Sequence, residues 1–205
     1  MPIGTHGLDE REENDFYATD PAALDMLAAK FNLPDFIWEC ACGEGHLSKR
    51  MEEMGRNVVS TDLIDRGYGI GGIDFIHGST PKYRSSDKVI RETVYKMRYM
   101  RLDGHSVGIL TNPPFKDSIE FVLKGLERVP DGGYVIMLMR TLWLEGQERY
   151  RRVFKGTRPL YVFQLSNRIY CAKDGKFSSG VKSAMAYAWF VWRKGYYGNT
   201  ILDWI

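Results

Sequence analysis

The stretch "ECACGEGHL", residues 39–47, stands where a short apolar run ends and an amphipathic pattern begins. The run before it, "DFIWEC", is rich in strand-forming residues, and apolar side chains then recur at helical spacing from Leu47 to Met54. Gly43 and Gly45 lie between the two, where glycine lets the backbone turn sharply and approach a ligand beside a helix N-terminus. The stretch predicts a tight strand-to-helix turn, and a plain turn without a ligand is an equal alternative on this evidence.

The same alternation continues on both sides of the turn. Asp20 and Pro21 are typical of an N-cap and a first helical position, so we expect a helix over about 20–31. Strands alternating with helices are typical of a parallel sheet joined by right-handed crossovers. The predicted strands are "DFIWEC", "NVVSTD", "GIDFI", "SVGIL", "GGYVIMLM", "LYVFQL" and "AMAYAWFVW".

The last two predicted strands have no helical pattern between them, so we expect an antiparallel hairpin around a loop at 166–183. The pattern predicts an α/β fold, Rossmann-like and doubly wound, with a mostly parallel seven-stranded sheet in a single domain over 1–205. We interpret residues 77–106, which contain a helical pattern, as an insertion or crossover. Residues 144–155 have a charged helical pattern.

Composition sets the class of protein. The chain has 205 residues, 44% of them apolar and 26% charged, which is ordinary for a soluble globular domain. No apolar run approaches the ~20 residues of a bilayer span, and the polar start lacks the apolar core of a signal peptide. We therefore expect a cytoplasmic protein with no membrane partner. Three cysteines, Cys40, Cys42 and Cys171, provide neither a disulfide framework nor the paired C-x-x-C units of a zinc site, so no metal is expected.

The net charge of +2 is unevenly distributed. Residues 1–44 hold ten acidic side chains against two basic ones, whereas 82–101 hold seven basic ones against two acidic ones. Residues 149–158 contain five basic side chains and no acidic one. Such polarity suits a polyanion bound on one side of the molecule, and solvated helix faces explain either run equally well.

The strand after the glycine turn ends at Asp62, roughly 20 residues further on, and an acid at that spacing in a doubly wound fold accepts hydrogen bonds from ribose hydroxyls. The ligand predicted by this spacing contains a nucleoside. No G-K-[ST] follows the turn, and the third glycine of the dinucleotide fingerprint is missing. The acid Glu39 suits a positively charged group better than a pyrophosphate, and the nucleoside that carries such a cation is S-adenosylmethionine.

A second stretch, "ILTNPPFKD" at 109–117, places two prolines directly after an apolar run. Pro113 and Pro114 can continue neither a sheet ladder nor a helix interior, so the strand must end there, between Asn112 and Phe115. The plain alternative is a proline turn in which Phe115 begins the apolar face of a helix.

Taken together, "ECACGEG", Asp62, Asp74 in "GIDFI" and "TNPPF" resemble, in order and spacing, the class I S-adenosylmethionine-dependent methyltransferases that methylate exocyclic amines. "DFYATDPAALDML" is similar to the segment that closes over the methionine part of the cofactor in this family. "RTLWLEGQERY" and "AMAYAWFVWRKG" are similar to the C-terminal half of small phage or prophage adenine-N6 DNA methyltransferases. The resemblance covers about 15–204 and implies methyl transfer from S-adenosylmethionine to N6 of adenine in DNA.

The resemblance also implies roles for single residues. Asn112, Pro113, Pro114 and Phe115 would carry the transfer, with the Asn112 side-chain oxygen and the Pro113 carbonyl each accepting one N6 hydrogen. Phe115 would stack on the target ring; most relatives have tyrosine there. The implied cofactor-binding residues are Tyr17, Thr19, Pro21, Glu39, Cys40, Ala41, Gly43, Gly45, Asp62, Leu63, Asp74, Phe75 and Asn112.

Substrate binding is expected at the rim of this site. A base inside a duplex cannot reach such a pocket, so a duplex substrate would have to flip its target. Arg140 and Trp143 follow a strand end and could line the pocket, although core packing is the commoner fate of a tryptophan; Arg168 could hold phosphates. With no separate recognition domain, we expect short or loose sequence selectivity, set by 77–106 and 166–183.

Three rival functions remain from the sequence. An RNA adenine or the glutamine amide of a protein presents the same lone-pair problem as a DNA adenine. A binding module without turnover would also keep these motifs, although the intact Asn112 argues against it. No proline precedes any cysteine, which argues against the covalent chemistry of cytosine-C5 methylation.

Overall fold

A computed structural model describes residues 18–169, 171–172 and 185–205. The strands in these ranges are β1 (Ala18–Thr19), β2 (Phe36–Glu39), β3 (Asn57–Ser60), β4 (Val107–Thr111), β5 (Tyr134–Arg140), β6 (Tyr161–Gln164), β7 (Cys171–Ala172), β8 (Tyr187–Arg193) and β9 (Ile201–Trp204). The α-helices are α1 (Ala22–Ala28), α2 (His46–Glu53), α3 (Ser86–Leu102), α4 (Ser118–Arg128) and α5 (Gln147–Arg149). Shorter helical turns are the 3₁₀ turns Phe115–Asp117 and Thr141–Leu144 and the π-helical turn Tyr150–Phe154. No helix within these ranges combines the length and apolar character needed to cross a membrane.

Seven strands form the central sheet in the order β3-β2-β4-β5-β8-β6-β9. Strands β3, β2, β4 and β5 are parallel to one another, β8 runs antiparallel to both β5 and β6, and β9 is parallel to β6. The predicted Rossmann-like α/β fold is confirmed, with its seven-stranded mixed sheet and its antiparallel C-terminal hairpin. Strands β1 and β7 form a separate antiparallel pair.

One of the seven predicted strands, "GIDFI", is not a strand in the structure. The apolar spacing of "GIDFI" predicts a strand, but the Asp74 carboxylate accepts hydrogen bonds from the backbone amides of Ile76 and His77, which closes a turn instead. Just before this turn, an isolated β-bridge between Thr61 and Ile70 extends β3 by one residue pair. The missing place in the sheet is taken by β9, a four-residue edge strand that the sequence patterns do not reveal.

Two predicted helices also change their bounds. The helix expected over about 20–31 is the shorter α1. The helical pattern at 144–155 is interrupted at Gly146, whose φ of 111° lies outside the helical region, so α5 and the π-helical turn begin only after it.

The core lies on both faces of the sheet. Trp38 and Trp192 pack on the face covered by α3 and α4, and Ile37 and Trp189 pack on the face covered by α1 and α2. Neighbouring residues of β2 and β8 therefore point to opposite faces and are buried on both, as expected for strands covered by helices on each side. Between β2 and β4 the strand order reverses, and this is where open α/β sheets bind ligands.

Trp189→Ala tests the attachment of α1 to the sheet. Trp189 is 0% exposed, and its Nε1 donates a hydrogen bond of 2.8 Å to the carbonyl of Ala23. We expect a loss of about 3 to 5 kcal/mol in the free energy of unfolding, because a large cavity forms. Trp204→Ala is the matched control: Trp204 is 59% exposed, and its loss should cost less than about 1 kcal/mol. Equal losses in urea unfolding would contradict the assignment of Trp189 to the core.

Candidate active site

An open cavity lies at the carboxyl ends of β2 and β4, with an empty volume of about 1040 Å³ that includes its solvent-facing mouth. This is the position expected from the reversal of strand order. Most residues predicted from the sequence line it: Thr19, Glu39, Cys40, Ala41, Asp62, Leu63, Asp74, Phe75, Asn112, Pro113, Pro114 and Phe115.

The other predicted residues lie elsewhere. Gly43 and Gly45 shape the turn that borders the cavity without lining it, and Pro21 lies at the start of α1. Arg168 is exposed near the end of β6. Tyr17 lies outside the described residues, as does most of the predicted loop at 166–183.

Sequence reasoning missed several lining residues: Ala18, Cys42, His46, Leu47, Ile64, Arg66, Ile73, Ile76, His77, Asp117 and Phe121. For His46 and Leu47 a signal was present, because they begin the helix that follows the glycine turn, where a helix N-terminus faces the ligand. Phe121 lies on α4, which begins directly after "ILTNPPFKD", and no sequence pattern distinguished it from the other apolar residues of this helix.

The glycine turn is tied to the acid at the end of the next strand. The amide of Gly43 donates to Asp62 Oδ2 at 2.8 Å, and the amide of Ile64 donates to Oδ1 at 2.9 Å. Burial is the main cause that raises the pKa of Asp62 above its ordinary value. Because each carboxylate oxygen has two lone pairs, both can still accept a hydrogen bond from a ligand hydroxyl.

Gly45 is required by its conformation and by its neighbour. Its φ of 80° lies in the left-handed region, which residues with a side chain rarely adopt. A Cβ at this position would also overlap the ring of Tyr68, which packs directly against the turn. The turn is therefore specified by backbone geometry and by close packing at the same residue.

Glu39 is an acid buried at the end of β2, with 2% of its surface exposed. The Ser48 hydroxyl donates a short hydrogen bond to Glu39 Oε2, and the Ser48 oxygen lies 2.6 Å from the Ser60 oxygen. Burial raises the pKa of Glu39 to about 8, the Ser48 hydrogen bond opposes this rise, and the nearby Asp62 adds to it. A positive charge placed in the cavity would favour the carboxylate and lower this pKa.

A third acid, Asp74, also lines the cavity. Besides closing the turn described above, its Oδ2 lies 3.1 Å from Nδ1 of His77. The next residue, Phe75, stacks on Phe121 with ring centroids 5.0 Å apart, and the Arg128 guanidinium lies 4.4 Å from the Phe75 centroid. These contacts make Phe75 a fixed wall of the cavity.

Asn112 is held by one side of its amide. Its Nδ2 donates to Thr19 Oγ1 at 2.8 Å. Its Oδ1 is buried and has no hydrogen-bond partner within the described part of the chain. A buried acceptor without a partner is rare in proteins and costly, so an unpaired oxygen beside a cavity points to a donor on a ligand. The Thr111 hydroxyl donates to the Ala41 carbonyl at 3.5 Å, which brings this turn against the glycine turn.

The residues after Asn112 form a rigid corner. The Asp117 amide donates to the Pro114 carbonyl at 3.2 Å, and the Ser118 hydroxyl donates to the Phe115 carbonyl at 2.9 Å. The Arg140 guanidinium lies 4.1 Å from the centroid of the Phe115 ring, within cation-π distance. The sequence predicts that Arg140 lines the pocket; it packs on Phe115 instead of lining the cavity.

Trp143, also expected at the substrate pocket, lies in the core. It is buried, and its Nε1 donates to the Ser118 hydroxyl oxygen at 2.9 Å. Its ring contacts Phe190 and Trp192 edge-to-face, with centroids 5.5 and 5.8 Å away. The apolar surface of the indole explains this position, and Trp143 contributes to the site only by supporting the corner at Ser118.

The cysteines near the cavity are not arranged as reactive groups. Burial raises the pKa of the Cys40 and Cys42 thiols well above the ordinary value, which disfavours a thiolate nucleophile. Across the described residues, no group of three or more His, Cys, Asp or Glu side chains is placed to hold a metal ion.

Comparisons with known proteins bear on the fold. No family model matches the chain, and no curated protein matches it. The chain is similar in structure to DrdV in a DrdV–DNA complex, with a TM-score of 0.54 and 11% identity over 95% of this chain and 28% of that one. It is also similar to a Listeria monocytogenes protein described as a class I S-adenosylmethionine-dependent methyltransferase (TM-score 0.46, 12% identity, 90% of this chain and 62% of that one). A Pyrococcus furiosus methyltransferase is similar at a TM-score of 0.46 and 12% identity, over 85% of this chain and 82% of that one.

The likeness to DrdV shows a shared fold. The chain spans less than two thirds of the Listeria protein and little more than a quarter of DrdV.

Gly45→Ala tests the glycine turn. Gly67→Ala is the matched control, because Gly67 has the same φ of 80° but no atom within 4 Å of the place that a Cβ would take. The control should lose about 1 to 2 kcal/mol of unfolding free energy from backbone strain alone. Gly45→Ala should lose at least about 1 kcal/mol more, because its methyl group overlaps Tyr68. Equal losses in urea unfolding would show that Tyr68 does not constrain the turn.

The pH dependence of stability in Glu39→Gln tests the raised pKa of the buried Glu39. Because the folded-state pKa is raised to about 8, the folded chain keeps a proton that the unfolded chain loses near the ordinary carboxyl pKa. The contribution of this proton to the free energy of unfolding is complete below the ordinary carboxyl pKa. It falls as the pH rises from there to about 8, by up to about 1.4 kcal/mol per pH unit.

Urea unfolding between about pH 5 and about pH 9 measures this effect. The wild-type protein should lose stability across the range, and Glu39→Gln should lose distinctly less. Glu92→Gln, at an exposed site on α3, should follow the wild type. Parallel curves for wild type and Glu39→Gln would contradict the raised pKa.

Proposed function

We propose that this chain transfers a methyl group from S-adenosylmethionine to the exocyclic N6 of adenine in DNA. The observation that carries the proposal is the orientation of Asn112, whose amide nitrogen is bound to Thr19 while its buried oxygen has no partner within the described residues. An acceptor held in this way beside the cavity is suited to an amino group, which brings hydrogens to donate.

The cavity residues fit S-adenosylmethionine. Asp62 retains acceptor capacity for the two ribose hydroxyls, Glu39 offers an acid to a positively charged group, and Phe75 with Asp74 forms a flat wall with an acceptor for an adenine. The cofactor supplies an electrophilic methyl group on a sulfonium. Fold neighbours described as methyltransferases are consistent with this cofactor.

Asn112 and Pro113 address the weak nucleophilicity of N6. The lone pair of an exocyclic amine is delocalised into its ring, and accepting both N6 hydrogens draws the nitrogen toward tetrahedral geometry. If S-adenosylmethionine is bound, this lone pair could take its methyl group, with the electrons of the C–S bond staying on sulfur and one N6 proton passing to solvent. Pro113 and Pro114 stiffen the backbone, so these oxygens need little reorganisation during the reaction.

Phe115 provides the surface for the target ring. Stacking of a base on an aromatic side chain is worth roughly 1 to 3 kcal/mol. The hydrogen bond from Ser118 to the Phe115 carbonyl fixes the backbone at this corner, and the Arg140 guanidinium fixes the ring. Phe115 thus offers a pre-positioned ring rather than one that must order on binding.

DNA is the proposed partner. The exposed face of α3 carries Lys88, Arg91 and Arg98, and the exposed residues of 149–158 include Arg151 and Lys155. These cations suit a phosphate backbone, and the structurally similar DrdV chain comes from a DNA complex. Arg140 and Arg168 are the proposed contacts nearest the target base.

The contact between α3 and the cavity wall supports the role proposed for residues 77–106 in sequence selectivity. The Ser86 hydroxyl at the start of α3 accepts a hydrogen bond of 2.9 Å from the Asp74 amide, so residues 77–106 begin at the cavity wall. We propose that 1–205 acts as one methyltransferase domain in which 77–106 and 166–183 set a short or loose sequence preference.

The proposal is tested by product identification. Purified protein is incubated with isotopically labelled S-adenosylmethionine and, separately, with mixed-sequence DNA, RNA and protein, and each product is digested and analysed by mass spectrometry. N6-methyladenine in DNA is the expected product. Label found only in RNA adenine, or only in glutamine, would replace the DNA substrate, and binding of DNA without transfer would show a non-catalytic module.

Asn112→Ala should abolish transfer while leaving cofactor binding intact. Removing one preorganised group from a reacting centre costs about 100-fold or more in rate, so we expect a loss of at least that size in single-turnover methylation. Asn57→Ala is the control, since Asn57 is exposed at the opposite end of β3, and should be fully active. A fall in cofactor affinity with unchanged turnover would mean that Asn112 serves the cofactor alone.

A further inference from the structure

We propose that Thr19 is a positioning residue, whose hydroxyl holds the Asn112 amide with its oxygen toward the substrate. The inference rests on the proposed function, because it gives Thr19 a task in the transfer step. The sequence resemblance placed Thr19 only among the residues that border the cofactor.

The contact itself is short and part-buried. Thr19 is 4% exposed, and its Oγ1 accepts from Asn112 Nδ2 at 2.8 Å across 93 residues of chain. A side-chain amide has nearly the same shape in both orientations, so its hydrogen-bond partners decide which end faces the cavity. The threonine hydroxyl can accept or donate and could bond either end of the amide. In the structure it accepts from Nδ2, so the orientation that turns Oδ1 to the substrate leaves the amide nitrogen paired.

Without that hydroxyl the balance changes. An oxygen-inward amide would then keep a buried N–H₂ group without its acceptor, whereas the flipped amide would turn the same group toward the open cavity. The flipped orientation presents donors to an amino group, which also has donors to offer, and no hydrogen bond forms between them. Loss of the hydroxyl therefore depletes the orientation that serves the reaction.

The local structure fixes Thr19 from two sides. Strand β1 pairs with β7, where Thr19 lies opposite Cys171. Directly after β1, Asp20 Oδ1 accepts a hydrogen bond of 2.9 Å from the Ala22 amide, and the Trp189 indole holds the first turn of α1. Thr19 therefore sits on a backbone anchored independently of any ligand, as a positioning residue requires.

Thr19→Val and Thr19→Ser separate this role from simple packing. Valine keeps the β-branched shape and removes the acceptor, whereas serine keeps the hydroxyl. We measure single-turnover methylation of DNA, the Kd for S-adenosylmethionine by calorimetry, and the side-chain amide signal of Asn112 by ¹⁵N NMR, assigned by its absence in Asn112→Ala.

We expect Thr19→Val to lower the single-turnover rate about 10- to 100-fold, as leaving a buried donor unpaired would do. The Kd for the cofactor should stay within about 2-fold, and the Asn112 amide protons should exchange faster with solvent. Thr19→Ser should restore the rate to within about 3-fold of wild type.

Three results would overturn the proposal: a Thr19→Val rate equal to wild type, a loss of cofactor affinity as large as the loss of rate, or a Thr19→Ser variant as slow as Thr19→Val. The NMR arm keeps this test apart from the proposed function. If the wild type methylates no DNA, the function fails, yet an altered Asn112 signal in Thr19→Val still supports the positioning contact and an unchanged one refutes it.

Discussion

The site depends on the pairing of two parallel strands, β2 and β4, whose chains lead away to opposite sides of the sheet. Trp38 pairs with Ile109, so both strands reach the same edge within a few residues of each other. The glycine turn follows one strand and the proline turn follows the other, and neither could face the other if the strands were antiparallel. The Thr111 to Ala41 hydrogen bond then closes the floor between the two turns.

Three of the four carboxyl groups that line the cavity in the described residues are each held by different partners. The Asp74 carboxylate accepts hydrogen bonds from backbone amides of its own turn. Asp62 accepts from two backbone amides in separate loops, and Glu39 accepts from the Ser48 hydroxyl. At Asp62 the amide donors oppose the rise that burial causes, and the pKa still lies above its ordinary value. At Glu39 burial outweighs the Ser48 hydrogen bond, and the pKa rises to about 8. The resulting cavity is rich in acceptors, which suits hydroxyl, amino and cationic groups and disfavours phosphate.

Sequence patterns predicted the sheet and the turns because these depend on short-range signals. Apolar runs, Gly43 and the proline pair all act within a few residues. The strand predicted for "GIDFI" was wrong because the Asp74 carboxylate accepts hydrogen bonds from two backbone amides, which turns the chain although the apolar spacing is compatible with a strand. Strand β9 was not predicted because its residues are half-exposed at a sheet edge, where the alternation of apolar and polar side chains is weak.

The site itself was predictable only in part, for the same reason. Glu39 ends a strand, and Asp62 and Asn112 lie just after strands, so their positions could be deduced from topology. The partner of Asn112 could not, because Thr19 is brought to it by a two-residue strand that pairs with β7 at the far end of the chain. Trp143 follows β5 as a substrate residue would, but its indole finds a buried hydrogen-bond acceptor at Ser118 and a place among other aromatic rings.

In the proposed function, the contact between Arg140 and Phe115 would constrain how a base enters. The guanidinium lies over the Phe115 ring, 4.1 Å from its centroid, so a base that stacks at this place would have to displace it. A cation-π contact is worth about 0.5 to 1 kcal/mol when exposed and about 2 kcal/mol when desolvated, and Arg140 and Phe115 are both partly buried. This range overlaps that of base stacking, about 1 to 3 kcal/mol. Stacking and the existing contact are therefore close in free energy, and displacement would release a guanidinium whose buried Nε has no partner among the described residues. Since a phosphate offers such a group strong hydrogen bonds, entry of the base and capture of its backbone would favour each other.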